Sequence, residues 1–252
     1  MSSRGRLALF LLGAAGVAVL FATAFLGMPA FGSEDHPYRD LAVPAAVRHA
    51  TANVVSSVNF DQRGIDTFGE ETIVLGSVIG VAALLRPAQR ESEQRPPPDR
   101  HRLESTTLLG YVLLPVTLVV GLDVVAHGHV SPGGGFQGGV ILATGFHLLY
   151  LAGSYQALAR LRPVEIFDRG EALGAGLFGV LGAAGLAATG AFLANVIPTG
   201  SFGQLFSGGT VPVLNVLVGL EVSCGAVVLL THFFTEAITL SVGGRRERGG
   251  GT

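Results

Sequence analysis

Ionisable side chains inside apolar stretches are the feature of this sequence best suited to chemistry. Glu221 and His147 each lie within a long apolar run, and Asp123 lies near the end of another. A charge at the centre of a lipid bilayer costs about 2.5–3.5 kcal/mol on insertion scales, so such groups normally face protein or water. They either handle protons and cations or form buried polar contacts that hold helices together. Both interpretations stay open from the sequence.

The spacing of these groups predicts a ladder across a membrane. A helix rises roughly 1.5 Å per residue, which puts Glu221 about 13 Å and His147 about 16 Å into their spans. We therefore expect these two side chains to meet near mid-membrane. His232 follows Glu221 by three helical turns and shares its face, and Asp123 precedes His127 by one turn.

Asp66, Glu70 and Glu71 stand at the start of a further apolar run, where acidic residues also favour the helix dipole.

The most unusual segment is a histidine- and glycine-rich loop at residues 127–139, His-Gly-His-Val-Ser-Pro-Gly-Gly-Gly-Phe-Gln-Gly-Gly. We predict a tight turn in which Pro132 stops one helix and Gly133, Gly134 and Gly135 permit positive φ. Gly138 and Gly139 would let the next helix start in close packing. The G-x-G-x-x-G spacing lacks a preceding strand, so a nucleotide site is disfavoured. His127 and His129 lack a third metal ligand, which favours loop-capping histidines over a metal site.

Composition indicates the medium that surrounds these residues. The chain has 252 residues, of which 49% are hydrophobic and 13% charged, too few charges for a fully water-facing surface. The net charge of −2 gives no reason to expect a nucleic-acid partner. We predict an all-α integral membrane protein with about six transmembrane helices. The predicted spans are Leu7–Met28, Asp66–Leu85, Thr106–Ala126, Phe136–Gly153, Ala172–Ile197 and Pro212–Phe234.

Arginine counts predict the orientation of these spans. With both termini in the cytoplasm, only Arg39, Arg48 and Arg63 lie outside, and the remaining 13 of the 16 basic residues lie inside. The first span has a basic flank and could instead be a cleaved secretory signal. Its apolar run is longer than a signal usually has, and no clean cleavage site follows, which favours a retained helix.

The segment at 86–104 contains three consecutive prolines among charges, a composition typical of a solvated linker. It separates a two-span part (1–85) from a four-span part (105–240), which a tail (241–252) follows. Residues Pro44–Phe60 are predicted to form a short amphipathic helix in a solvated loop at the outer surface. In the fifth span, small residues at 175, 179, 183 and 187 predict a close helix contact, within this chain or with a partner chain.

Two segments resemble known families. The loop at 128–139, the four-span pattern and Asn215-Val-Leu-Val-Gly-Leu-Glu-Val222 are similar to the B subunit of multisubunit Na⁺/H⁺ antiporters, the MnhB/MrpB family, over about residues 105–240. The segment Asn59-Phe-Asp-Gln-Arg-Gly-Ile-Asp-Thr-Phe-Gly-Glu70 resembles the C-terminal end of the large A subunit, or the small E-type subunit of membrane-bound hydrogenases. The linker falls between the two segments, as a fusion would require.

The resemblance implies a multi-pass subunit of a bacterial plasma-membrane complex that exchanges Na⁺ for H⁺. It implies A-, C- and D-like and small subunits as partners, no cofactor, and a role in ion passage for Glu70. The interpretation as an ion path extends to Asp66, Glu221, His147 and Asp123. Two alternatives stay open: a membrane-arm subunit of a hydrogenase-type or complex I-related redox complex, and a purely structural subunit.

Overall fold

Long apolar runs form long helices in the computed structural model, which describes residues 3–28, 32, 34, 36–85, 104–152 and 164–249. The helices are α1 (Ser3–Leu26), α2 (Pro37–Arg48), α3 (Val54–Ser57), α4 (Gly64–Leu84), α5 (Glu104–Ala126), α6 (Gly135–Ala152), α7 (Val164–Thr189) and α8 (Val211–Gly249). A π-helical turn, Val58–Gln62, connects α3 to α4. No strand occurs in these ranges, which confirms the all-α prediction.

Five of the described helices are long and apolar enough to span a membrane, namely α1, α4, α5, α7 and α8. The remaining predicted span corresponds to α6, which has 18 residues and packs against α5 and α8. The exact number of spans and the cytoplasmic location of the termini stay predictions. Most of the predicted linker, residues 86–103, lies outside the described residues, so the division of the chain into two fused parts also stays a prediction.

The chain divides into two units, residues 1–41 and 42–252. The first contains α1 and the beginning of α2. The second is a helical bundle in which α8 is central, because α4, α5, α6 and α7 all pack against it. The burial of the spans agrees with this arrangement: 61% of the span in α8 is buried, against 17% in α4 and 22% in α7.

Several predicted helix boundaries were wrong. The fifth span was expected to reach Ile197, but α7 ends at Thr189 because Gly190 adopts a left-handed φ of 81°. The expected single helix Pro44–Phe60 is split between α2 and α3 by a turn at Ala50, whose φ is 54°. Asn53 then starts α3, since its side-chain oxygen accepts hydrogen bonds from the N–H groups of Val55 and Ser56.

The α8 helix extends through Gly249, into the segment predicted as a tail.

Asparagine side chains tie together the segments at one end of the bundle. Asn53 donates to the carbonyls of Gly128 and Ser131, at 2.7 and 2.9 Å. Asn195 donates to the carbonyl of Gly208 at 3.0 Å and accepts from the N–H of Thr210 at 2.9 Å. These bonds satisfy loop backbone groups that would otherwise be unpaired at the end of an apolar bundle. We call this the asparagine end.

Glycines allow α7 and α8 to touch along their backbones. A Cβ atom at Gly174 would lie 2.8 Å from both Cβ of Glu221 and the carbonyl oxygen of Leu217. The small-residue ladder predicted in this helix lies on a different face. Its members Ala183 and Ala187 are exposed, and Gly179 approaches Phe68 only at ordinary contact distance. The contact within this chain therefore uses glycines outside the ladder.

We expect Gly174→Ala to destabilise the protein by about 1–3 kcal/mol, because overpacking a tight contact forces the helices apart. The apparent melting temperature of the purified complex measures this effect. Gly176→Ala is the matched control on the same helix, since no atom lies within 4 Å of a Cβ at that position. Equal melting temperatures for the two variants would contradict the close α7–α8 contact.

Candidate functional site

Two carboxyl groups meet inside the bundle. Glu71 projects from α4 and Glu221 from α8, and their side chains lie within hydrogen-bonding reach of each other. Both residues are fully buried, with exposures of 1% and 0%. Counted along their helices from the asparagine end, Glu71 lies about 10 Å and Glu221 about 15 Å deep. The pair therefore lies well inside the hydrophobic part of the bundle.

The described residues supply no hydrogen-bond donor to the carboxyl oxygens of Glu71 and Glu221. Two ionised carboxylates at this distance would repel each other, and burial would add a large desolvation cost. A shared proton removes one charge and allows one carboxyl to donate to the other. A bound cation would compensate the same charge. The pair is thus suited to exchange a proton for a cation.

Glu171 of α7 extends the pair to a cluster of three carboxyl groups. It is 3% exposed, and its Oε1 atom is buried without a hydrogen-bond partner among the described residues. A Cβ atom at Gly225 would lie 3.0 Å from that oxygen, so the glycine makes room for the carboxyl group against α8. Gly225 follows Glu221 by one helical turn, which puts Glu171 about 6 Å further along the axis. We call Glu71, Glu221 and Glu171 the carboxyl cluster.

An apolar core separates the carboxyl cluster from the asparagine end. On α8, Leu214 and Val218 lie two turns and one turn before Glu221, and both are fully buried. Phe178 of α7 is also fully buried and stacks on Phe68 of α4, with ring centroids 5.9 Å apart. This packing fixes the three helices that carry the carboxyl groups.

The residues predicted to line an ion path lie in several places. Glu70 is exposed on the face of α4, and Asp66 is exposed and paired with Arg63. Asp123 and His127 are both exposed, and Oδ1 of Asp123 lies 2.9 Å from Nδ1 of His127. His147 interacts with the backbone of Ala226, five residues beyond Glu221, and its buried Nε2 has no partner among the described residues. Glu221 was expected to meet His147. Its contact is instead with Glu71, and His147 lies beside Ala226.

Glu71 and Glu171 were missed as members of the site for different reasons. The predicted start of the span, Asp66, is only two residues from the observed start of α4 at Gly64, but Glu71 was grouped with Glu70 as an acid that favours a helix start. Glu171 was one residue outside the predicted fifth span, whereas α7 begins at Val164. Glycines at 170 and 174, on either side of Glu171, were the available signal, since both allow close contact with α8.

The glycine loop forms the turn predicted for it, with one correction. Gly133 and Gly134 have φ of 132° and 145°, as expected. Gly135 instead begins α6, and its N–H donates to the Asn215 side chain at 2.9 Å. Pro132 does not stop the preceding helix, because α5 already ends at Ala126. Gly139 allows the expected close packing, since a Cβ there would lie 2.9 Å from Cβ of Val222.

The two loop histidines differ in environment. His127 is exposed, whereas His129 is fully buried, and neither ring nitrogen of His129 reaches a hydrogen-bonding partner among the described residues. Burial lowers the pKa of His129 below its usual value of 6.5, and the neighbouring His127 lowers this pKa further. Backbone groups at Leu205 and Gln204 raise the pKa by a smaller amount. His129 is therefore neutral in the folded loop. No group of three or more metal-binding side chains occurs in the described ranges.

We expect acid to destabilise the loop through His129. Because its pKa is lower in the folded state, the unfolded chain binds the proton more readily, so this stabilisation is lost as the pH falls through about 6.5. The melting temperature should drop less between pH 7.5 and pH 5.5 in His129→Gln than in the wild type. His127→Gln, at the exposed neighbour, is the control. An unchanged pH dependence in His129→Gln would contradict a buried neutral imidazole.

Comparison with known proteins agrees with this architecture. Residues 105–229 match the family described as a domain related to the MnhB subunit of Na⁺/H⁺ antiporters. An uncharacterized protein of Methanocaldococcus jannaschii is 30% identical over 194 residues, which cover 69% of this chain and 73% of that protein. A probable A/B subunit of a K⁺/H⁺ antiporter from Rhizobium meliloti is 27% identical over 122 residues, covering 40% of this chain but 12% of the relative.

Two solved structures share the fold. A chain of the membrane-bound sulfane sulfur reductase, an archaeal respiratory membrane complex, superimposes with a TM-score of 0.71 and 26% identity over 90% of this chain and 97% of that one. A chain of the Mrp complex from Dietzia gives a TM-score of 0.66 and 24% identity, over 92% of this chain and 26% of that one. The predicted resemblance to the MnhB family and the multi-pass membrane location are confirmed. The chain belongs to the family of membrane proteins related to the MnhB subunit of Na⁺/H⁺ antiporters.

Proposed function

We propose that this chain is one component of a cation/proton antiporter complex and that its carboxyl cluster carries the exchanged ions. The observation that supports the proposal is the contact of Glu71 with Glu221, two buried carboxyl groups without a donor among the described residues. The family to which the chain belongs supports the same function. Na⁺ or another monovalent cation and H⁺ are the proposed ions, and the proposed partners are A-, C- and D-like and small antiporter subunits.

The proposed exchange keeps the charge of the cluster constant. In one state a proton is shared between Glu71 and Glu221, and the pair carries one negative charge. A monovalent cation that enters between the carboxyl groups releases this proton and binds to both carboxylates, so one positive charge replaces another. Without a bound ion, two carboxylates would lie uncompensated in apolar surroundings. The site therefore favours having a proton or a cation bound at all times. Such alternate occupancy is the requirement for obligatory exchange.

For the other predicted ion-path residues, a role in ion passage stays a prediction, and each residue would need a different setting to take part. Glu70 and Asp66 are exposed in this chain, so a role for them needs a neighbouring protein packed on α4. His147 of α6 lies beside Ala226 of α8, five residues beyond Glu221, and would act as a later relay. Asp123, paired with His127 near the asparagine end, would act at the surface of the bundle.

We expect Glu71→Gln and Glu221→Gln each to lower cation/proton exchange by about tenfold or more, because an amide keeps the shape but cannot carry a proton or neutralise a cation. Exchange is measured as cation-driven pH change in everted membrane vesicles that carry the complete complex. The amount of assembled complex is measured in the same vesicles.

Glu165→Gln is the matched control, since this carboxylate lies on α7 but its side chain is 81% exposed. It should leave exchange unchanged. Glu70→Gln tests the neighbouring position separately. Wild-type exchange in the double variant Glu71→Gln/Glu221→Gln would overturn the proposal. Loss of the assembled complex in both single variants would favour a structural role for the pair.

A second candidate function has specific support. The superposition on the chain of the sulfane sulfur reductase complex covers 97% of that chain. The same fold therefore also occurs in a respiratory redox complex. The composition of the purified native complex separates the two functions. If antiporter-type subunits are its only components, exchange driven by ion gradients is supported, whereas co-purifying iron–sulfur or other redox subunits support the second candidate.

A further inference from the structure

A polar cleft leads from the end of the bundle opposite the asparagine end to the carboxyl cluster. It has a volume of about 520 Å³ and lies between the last turns of α4, the first turns of α7 and the later part of α8. Asp168, Glu171 and His232 contribute ionisable groups to its wall, and the other lining residues are apolar. A cavity of this size holds several water molecules when polar groups line it.

The inner end of this cleft is a carboxyl group that lacks a partner. Glu171 lines the cleft, yet the residue is 97% buried and its Oε1 has no hydrogen-bond donor among the described residues. On its other side, Glu171 lies within electrostatic range of Glu221. Glu171 is thus the described group that faces both the cleft and the buried pair.

A neighbouring groove has the apolar lining that a lipid chain or an apolar helix would need, and so provides a comparison for the polar cleft. It lies between α4 and α8, has a volume of about 370 Å³, and is lined almost entirely by apolar side chains, such as Ile73, Val222 and Leu229. That groove suits a lipid chain or an apolar helix. The cleft with Asp168 and His232 is different, because an apolar occupant would leave their polar groups without solvation.

We propose, on the basis of the proposed function, that the polar cleft is a water-filled vestibule for protons and hydrated monovalent cations. In this arrangement Asp168 and His232 lie at its mouth, and Glu171 transfers the ion between the vestibule and Glu221. Each transfer conserves charge, since a proton that leaves the Glu171 carboxyl is received by the Glu221 carboxylate. The apolar core beyond the pair then makes this vestibule the route to one side of the membrane.

The vestibule is tested by thiol labelling of the complete complex. Cys224 is the only cysteine of the chain, so Cys224→Ala provides a background in which this chain carries no thiol. Ala172→Cys introduces a thiol in the cleft wall, and Leu173→Cys introduces one at the adjacent, exposed position outside the cleft wall, within about 1.5 Å of the same depth. The reagent is a charged, membrane-impermeant methanethiosulfonate added to everted or right-side-out vesicles.

We expect Ala172→Cys to react about tenfold faster than Leu173→Cys, and from one side of the membrane only, because the reaction needs a thiolate in water. Modification at Ala172→Cys should also reduce exchange, whereas treatment of the Leu173→Cys variant should not. Equal slow labelling of the two thiols would overturn the vestibule. So would rapid labelling at Ala172→Cys that leaves exchange unchanged.

Glu171→Gln separates the vestibule from the function of the pair. If Glu71→Gln and Glu221→Gln abolish exchange while Glu171→Gln retains wild-type exchange, the transfer through Glu171 is wrong and the proposed function stands. If exchange survives in all three variants, the proposed function fails as well. Loss of exchange in Glu171→Gln, with Ala172→Cys still labelled in that variant, supports both.

Discussion

The arrangement of the bundle depends on placing three carboxyl groups away from water inside a largely apolar set of helices. Glu71, Glu221 and Glu171 come from three different helices, so their contact exists only when α4, α7 and α8 are packed together. Their buried charge is tolerable only if protons or cations neutralise it, since no described donor does so at Glu71 or Glu221. The close backbone contact of α8 with α7 at Gly174 brings Glu171 and Glu221 onto facing helices.

The two ends of the bundle are built differently, and this difference gives the cluster a direction. At one end, Asn53, Asn195 and Asn215 bind loop backbone groups, and Asn215 links α8 to both α6 and Ser56. Non-helical backbone is tolerated in such a place because protein groups satisfy its polar atoms. At the other end, the polar cleft lies between α4, α7 and α8.

The lipid surroundings of the chain could be predicted from the sequence better than the contacts of individual residues. Low charge and long apolar runs predict a helical membrane protein, because a backbone in lipid must satisfy its own hydrogen bonds and a helix does so. The glycines at 133 and 134 predict positive φ. Glu221 was recognised because it lies deep in an apolar run. Glu171 was not, because hydropathy locates the ends of a helix only to within several residues. Glu71 was not, because an acid in the first turns of a helix is already explained by the helix dipole. The pairing of Glu71 with Glu221 joins positions 150 residues apart, and no periodicity within one helix carries that information.

Adjacent carboxyl groups on α4 show why this chain needs neighbours. Successive residues of a helix point about 100° apart, so Glu70 faces outward where Glu71 faces the core. Glu70 lies roughly 9 Å into the helix, a depth at which a carboxylate exposed to lipid is costly. Arg63 and Asp66 form an ion pair about one turn nearer the start of the same helix. A surface with this charge is stable in a membrane when another protein covers it or when water reaches it. The outer face of α4 therefore needs a protein neighbour or water to cover its charged groups.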